Sequence, residues 1–209
     1  MMPSVTPLRL YAFCTAQIVV GCPPPVSKTS GVANYHAVQF YQDEASLAAT
    51  AAGFLADGIA VGQPALVVAT AGHRARIVAA LKTRGLNADE LRRTGELNVF
   101  DARKMLSSLM VGGMPDPLLF KSNVGDAIER LCFDRQPSSI RAYGEMVDLL
   151  WQDGNSDGAI RLEILWNQLA SAYEFSLLCG YAVGHFHKES VRSRFKEVCD
   201  QHSHVIPSD

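Results

Sequence analysis

Tyr41, Thr70, His73, Asp101, Arg103, Glu145, Tyr181 and His185 each stand just past, or at the end of, a short apolar run of this chain, together with Gln42 and Asp43. In an open parallel sheet those are the positions where loops converge and ligands bind. An imidazole beside a carboxylate can move a proton or fix a polar ligand, and tyrosine or tryptophan adds an apolar body with a polar tip. Tyr41, Tyr143, Glu145, Trp151, Glu163 and Trp166 form such an aromatic and acidic set. Glu145 follows a glycine turn and reads either as a pocket residue or as a helix-start carboxylate. Trp166 falls on the apolar stripe of its helix and reads as core.

Cys199, His202 and His204 in "CDQHSH", with His185 and His187 of "GHFH" not far before them, offer zinc-type donors. Their spacing matches no standard pair of ligands. Cys199 also shares a helical face with Val191, Phe195 and Val198, so a buried thiol is expected, with no metal site and no cofactor. Ser176 and Cys179 lie inside an apolar strand and no GxSxG elbow occurs, so no catalytic residue is assigned and the chain is not read as an enzyme.

The stretch "FYQDEASLAAT" follows the first strand. A nucleotide hydrolase of this layout needs GxxxxGK[ST] there, because glycine N–H groups and a lysine must hold the phosphates. This segment has neither glycine nor lysine, and Asp43 and Glu44 would repel a triphosphate. As acidic residues at a helix start they are suited to cap it.

From Tyr35 onward, apolar runs alternate with amphipathic patterns, the rhythm of a sheet covered by helices on both faces. "HAVQFY", "PALVVAT", "LNVF", "SIRAYGEM" and "FSLLCGYAV" are the expected strands. The expected helices include "AGHRARIVAALKTRG", stopped at Gly85, then "LLFKSNVGDAIERLCFD", "DGAIRLEILWNQLASAY" and "KESVRSRFKEVCDQHSH". The fold class is therefore α/β, a three-layer sandwich with a mostly parallel central sheet joined by right-handed crossovers. Residues 1–34 read as a disordered N-terminal tail and a Pro/Ser/Thr/Gly linker, and residues 35–209 as one folded domain. The net charge of −2 offers nothing to draw the whole chain onto nucleic acid or an anionic membrane, and no stretch reads as a membrane span. Five cysteines, odd in number and without a CxxC, point to reduced thiols and a cytoplasmic setting.

The segments "HAVQFYQDEASL", "FLADGIAVGQPALVVAT", "MVGGMPDPLLF", "RAYGEMVDLLW", "AIRLEILWNQL", "FSLLCGYAV" and "CDQHSHVIP" together resemble the MEDS family, a sensory domain of methanogen and methylotroph regulators such as the dichloromethane-dehalogenase repressor. The resemblance runs from His36 to Pro207. It implies a RecA/KaiC-like domain without a phosphate loop, acting as a sensory module for a small organic or hydrocarbon-derived ligand. Its output would pass through a protein partner such as a histidine kinase or an anti-sigma-type regulator, or through a homodimer, since no output domain is read in this chain. The ligand-binding residues expected are His36, Tyr41, Glu145, Trp151 and His204. His36 rests on the resemblance alone, because a strand's first residue lies away from the carboxyl-end crevice. The competing expectation is a degenerate nucleotide-binding protein that binds ATP without hydrolysing it.

Overall fold

The computed structural model describes residues 35–132, 139–186 and 192–206. The tail at 1–34, with Cys14 and Cys22, lies outside them, as do His187 and the segment after Ile206.

Strand β1 (His36–Tyr41) leads through Asp43 into helix α1 (Glu44–Ile59). The Asp43 carboxylate accepts the Ser46 amide at 2.7 Å, and Glu44 pairs with Arg76, so both acids of the missing phosphate cradle have structural partners. Small residues let α1 lie close to the sheet: a side chain at Gly58 would meet Arg141 Cγ at 2.2 Å. Next come β2 (Ala65–Ala69), α2 (Ala71–Thr83), α3 (Ala88–Arg93) and β3 (Leu97–Asp101). Helix α2 stops where Gly85, at φ 81°, allows the Gly85 amide to reach Lys82 O and the Leu86 amide to reach Leu81 O.

Asp101 then caps α4 (Ala102–Leu109) through the Lys104 amide. The Gly and Pro-rich break after it is a small antiparallel hairpin, β4 (Met110–Val111) and β5 (Met114–Pro115), turning through two left-handed glycines, Gly112 and Gly113. The single helix expected after the break is built from α5 (Pro117–Phe120), a wider turn at Lys121–Gly125 and α6 (Asp126–Cys132). Strand β6 (Ile140–Gly144), α7 (Met146–Gln152), α8 (Ser156–Ala170) and β7 (Phe175–Ala182) follow, then a short 3-10 turn at Val183–Phe186.

The C-terminal segment corrects the sequence reading. The last helix, α9 (Arg192–Asp200), ends before the histidines, and His204–Ile206 form strand β8 alongside β1. The physical reason is a pair of hydrogen bonds on the His36 backbone: the Ser203 amide donates to His36 O, while the Ser203 side-chain Oγ accepts from the His36 amide.

The main sheet runs β3-β2-β6-β7-β1-β8 and every pairing in it is parallel. From β1 the chain steps outward to β3 with α1–α3 on one face, then returns through β6 and β7 to β8 with α4–α9 on the other. The result is a three-layer sandwich with a core on each side of the sheet. Side chains alternate between the cores: Val38 and Phe40 join the α4–α9 layer, Ala37 and Tyr41 the α1–α3 layer. Because the helices after β2 and β6, and those associated with β1 and β7, go to opposite faces, the sheet is notched at its carboxyl edge between these neighbours.

Candidate functional site

Four strand ends meet along that notched edge around two buried carboxylates, one at each notch. Glu145 occupies the cap position of α7, yet its side chain makes no capping bond there. It reaches instead to the neighbouring strand end, where Oε1 accepts the Thr70 amide at 2.5 Å and Oε2 lies 2.5 Å from His73 Nδ1. The Tyr143 hydroxyl donates to the same Oε2 at 3.1 Å. The carboxylate thus complements the amino end of α2 rather than that of its own helix. Gly180 holds this arrangement from the next strand, since a Cβ there would come within 2.9 Å of the Tyr143 hydroxyl.

One turn further along α7, Asp148 serves the other notch. Its Oδ1 accepts the Ala182 amide at 2.9 Å, and its Oδ2 accepts Gln152 Nε2 at 2.9 Å and the Tyr41 hydroxyl at 3.3 Å. His185 Nε2 lies 3.0 Å from Oδ1, off the line of a good hydrogen bond. Tyr41 also meets His73 edge-on, with ring centroids 5.8 Å apart, and so joins the two halves.

The environments drive the two acids apart. Burial favours a neutral Glu145, but the His73 and Thr70 contacts outweigh it and hold the carboxyl below its usual range. His73 is raised, chiefly by its hydrogen bond to Glu145. Asp148 is raised because burial exceeds what its donors return. The Tyr41 and Tyr143 phenols are pushed up by burial and then by the nearby carboxylates, so both remain donors. The site can therefore hold a charged His73–Glu145 pair beside a more easily protonated acid. Its partly open members are His185, at 24% side-chain exposure, and His73, at 12%.

A third buried carboxylate, Glu163 of α8, lies in the α4–α9 core. Tyr181 donates to its Oε1 at 2.9 Å, while His36 Nε2 is 3.3 Å and Cys179 Sγ 3.5 Å from its Oε2. His202 Nε2 stands 3.4 Å from Oε1.

Of the residues expected from sequence, Tyr41 and Glu145 come together at the notch. Trp151 sits one turn beyond Asp148, packed on Phe186 and Tyr181. His36 lies at the Glu163 cluster, and His204, exposed at the start of β8, packs its ring at a tilt against Tyr35 at the amino end of the sheet. Asp148 is a functional residue that strand-end reasoning misses, because it lies within α7. Its signal is a lone acid in the apolar run "MVDLLW", one helical turn after Glu145. Trp166 is core, 2% exposed and edge-on to Phe120.

The model of the MEthanogen/methylotroph, DcmR Sensory domain (MEDS) matches residues 35–197. The chain belongs to the MEDS family. The match starts at the residue before β1 and runs into α9, so both notches and most of the Glu163 cluster fall within the MEDS region, whereas His202 lies beyond it. No curated protein matches the chain. Membership makes this a sensory domain, and among the described residues no helix is long and apolar enough to cross a membrane.

Proposed function

We propose that this MEDS domain is a non-catalytic, cytoplasmic receptor for a small organic or hydrocarbon-derived molecule, received where Tyr41, His73, Glu145, Asp148 and His185 meet. Its state would be read by a partner chain such as a histidine kinase or an anti-sigma-type regulator. The observation that carries the reading is the Glu145 side chain, which leaves its own helix uncapped to tie α7 to the amino end of α2. A ligand with one polar handle that competes for His73 or Tyr41 would loosen or tighten that tie. The relative placement of α2 and α7 would then shift between two populations that a partner can distinguish.

Nucleotide binding is the weaker reading. The position of a phosphate cradle after β1 holds the Asp43 cap, and the two carboxylates at the notch disfavour a polyanion.

The test is a thermal-shift series with halogenated and C1 compounds, short alcohols and ATP, combined with native mass spectrometry. A rise in Tm with one organic class, lost in Tyr41→Phe or Glu145→Gln, is the expected result. No shift with any compound and no retained mass would overturn the receptor reading, and a shift with ATP alone would replace it by the nucleotide one.

A further inference from the structure

The Glu163 cluster has an excess of lone pairs over hydrogens. His36 Nδ1 faces Asn167 Oδ1 at 2.9 Å, and the Asn167 amide nitrogen is committed to Gln201 O at 3.0 Å, so Nδ1 carries the His36 hydrogen. His202 Nδ1 faces the Val198 carbonyl at 2.7 Å and must also be the protonated nitrogen. In their neutral forms both imidazoles therefore turn a bare Nε2 inward, toward a carboxylate and a sulfur. The His202 side chain is fully buried, and its Nε2 has no hydrogen-bond partner. Two bare nitrogens and a carboxylate turned on one another without solvent, with only the Cys179 thiol and the Tyr181 hydroxyl as donors among them, are a costly arrangement unless a proton or a metal cation lies between them.

The spacing fits such a cation. One donor atom from each of His36, Glu163, Cys179 and His202 lies within 4.8 Å of every other. The close pairs are His36 Nε2 and Cys179 Sγ to Glu163 Oε2, at 3.3 and 3.5 Å, His36 Nε2 to Cys179 Sγ at 3.4 Å, and His202 Nε2 to the other carboxylate oxygen, Oε1, at 3.4 Å. Zinc bonds of ordinary length set tetrahedrally put neighbouring donors roughly 3.3–3.6 Å apart. The outer contacts are those of a metal centre: Asn167 and the Val198 carbonyl orient the imidazoles through Nδ1, and Tyr181 donates to the carboxylate.

We propose that His36 Nε2, His202 Nε2, Cys179 Sγ and a Glu163 carboxylate oxygen form a closed structural zinc site. Four protein donors leave no position for substrate, and a thiolate with two imidazoles suits zinc over calcium or magnesium. Binding displaces the Cys179 thiol proton to solvent, leaving zinc bonded to the thiolate. The metal joins the C-terminal turn, through His202, to β1, β7 and α8, and it is independent of what the notch binds.

The experiment uses the full chain without an affinity tag, purified with zinc present and then dialysed, with metal read by elemental analysis. About one zinc per chain is expected, unchanged in Glu145→Gln. Cobalt substitution should give intense visible bands and a near-ultraviolet thiolate-to-cobalt band that Cys179→Ser abolishes. Asn167→Ala, which touches no donor atom, should weaken zinc binding roughly 10- to 100-fold. X-ray absorption of the wild-type zinc protein guards against variants that fail to fold: one sulfur with nitrogen and oxygen neighbours supports the site. Folded protein that takes up no zinc on titration, or a zinc shell without sulfur, overturns it.

Discussion

The notch and the Glu163 cluster each combine buried carboxylate, histidine and tyrosine side chains, but their histidine hydrogens are placed in opposite ways. At the notch, backbone amides of Thr70 and Ala182, the Gln152 amide and the hydroxyls of Tyr41 and Tyr143 all point at the acids. Around Glu163 the Tyr181 hydroxyl and the Cys179 thiol still point at the acid, but the histidine hydrogens point outward, to Asn167 and Val198, and the Nε2 lone pairs point in. The same residue types thus serve a hydrogen-bonded junction in one place and a cation cage in the other. Composition alone does not separate the two; the second nitrogen of each histidine does.

The comparison is sharpened most by removing the acid that has the most to satisfy. Glu145→Ala strands the Thr70 amide, His73 and the Tyr143 hydroxyl in the interior and should cost about 3–5 kcal/mol in urea unfolding, with zinc content unaffected. Asp148→Asn keeps one acceptor oxygen while turning an amide toward donors, and about 1–3 kcal/mol is expected by the same measurement. Asp43→Ala, which removes only a helix cap outside both centres, should cost about 1 kcal/mol and leave both intact.

The smallest effect is a pH slope. His73 is raised above its ordinary value and Glu145 lowered, so their pair contributes fully between the ordinary carboxylate and imidazole ranges. That contribution is lost as pH rises through the raised His73 value, and also as pH falls through the lowered Glu145 value. Wild-type protein should therefore lose more stability than His73→Ala between about pH 6 and pH 9. Parallel slopes would show that the pair contributes no pH-dependent stability.

Strand and helix order could be read from the sequence because buried parallel strands are continuous apolar runs, as in "ALVVA" and "FSLLCGYA". Strand β8 escaped that test: it has three residues and begins with an exposed histidine. Tyr41 and Glu145 were visible because strand ends select them. The Glu163 cluster was not, since its donors come from β1, α8, β7 and the turn after α9, and only the fold makes them neighbours. From sequence Cys179 reads only as a thiol inside an apolar strand, unsuited to be a nucleophile; that burial is what allows a thiol and a carboxylate to share a dry pocket.

One strand serves both centres. His36 opens β1 and turns to the α4–α9 side, while Tyr41 closes it and turns to the α1–α3 side. A slip of β1 by one residue against β7 would send both side chains to the wrong face at once. The six residues of β1 are thus a single point of failure for the molecule, and errors there should appear as the joint loss of two unrelated properties.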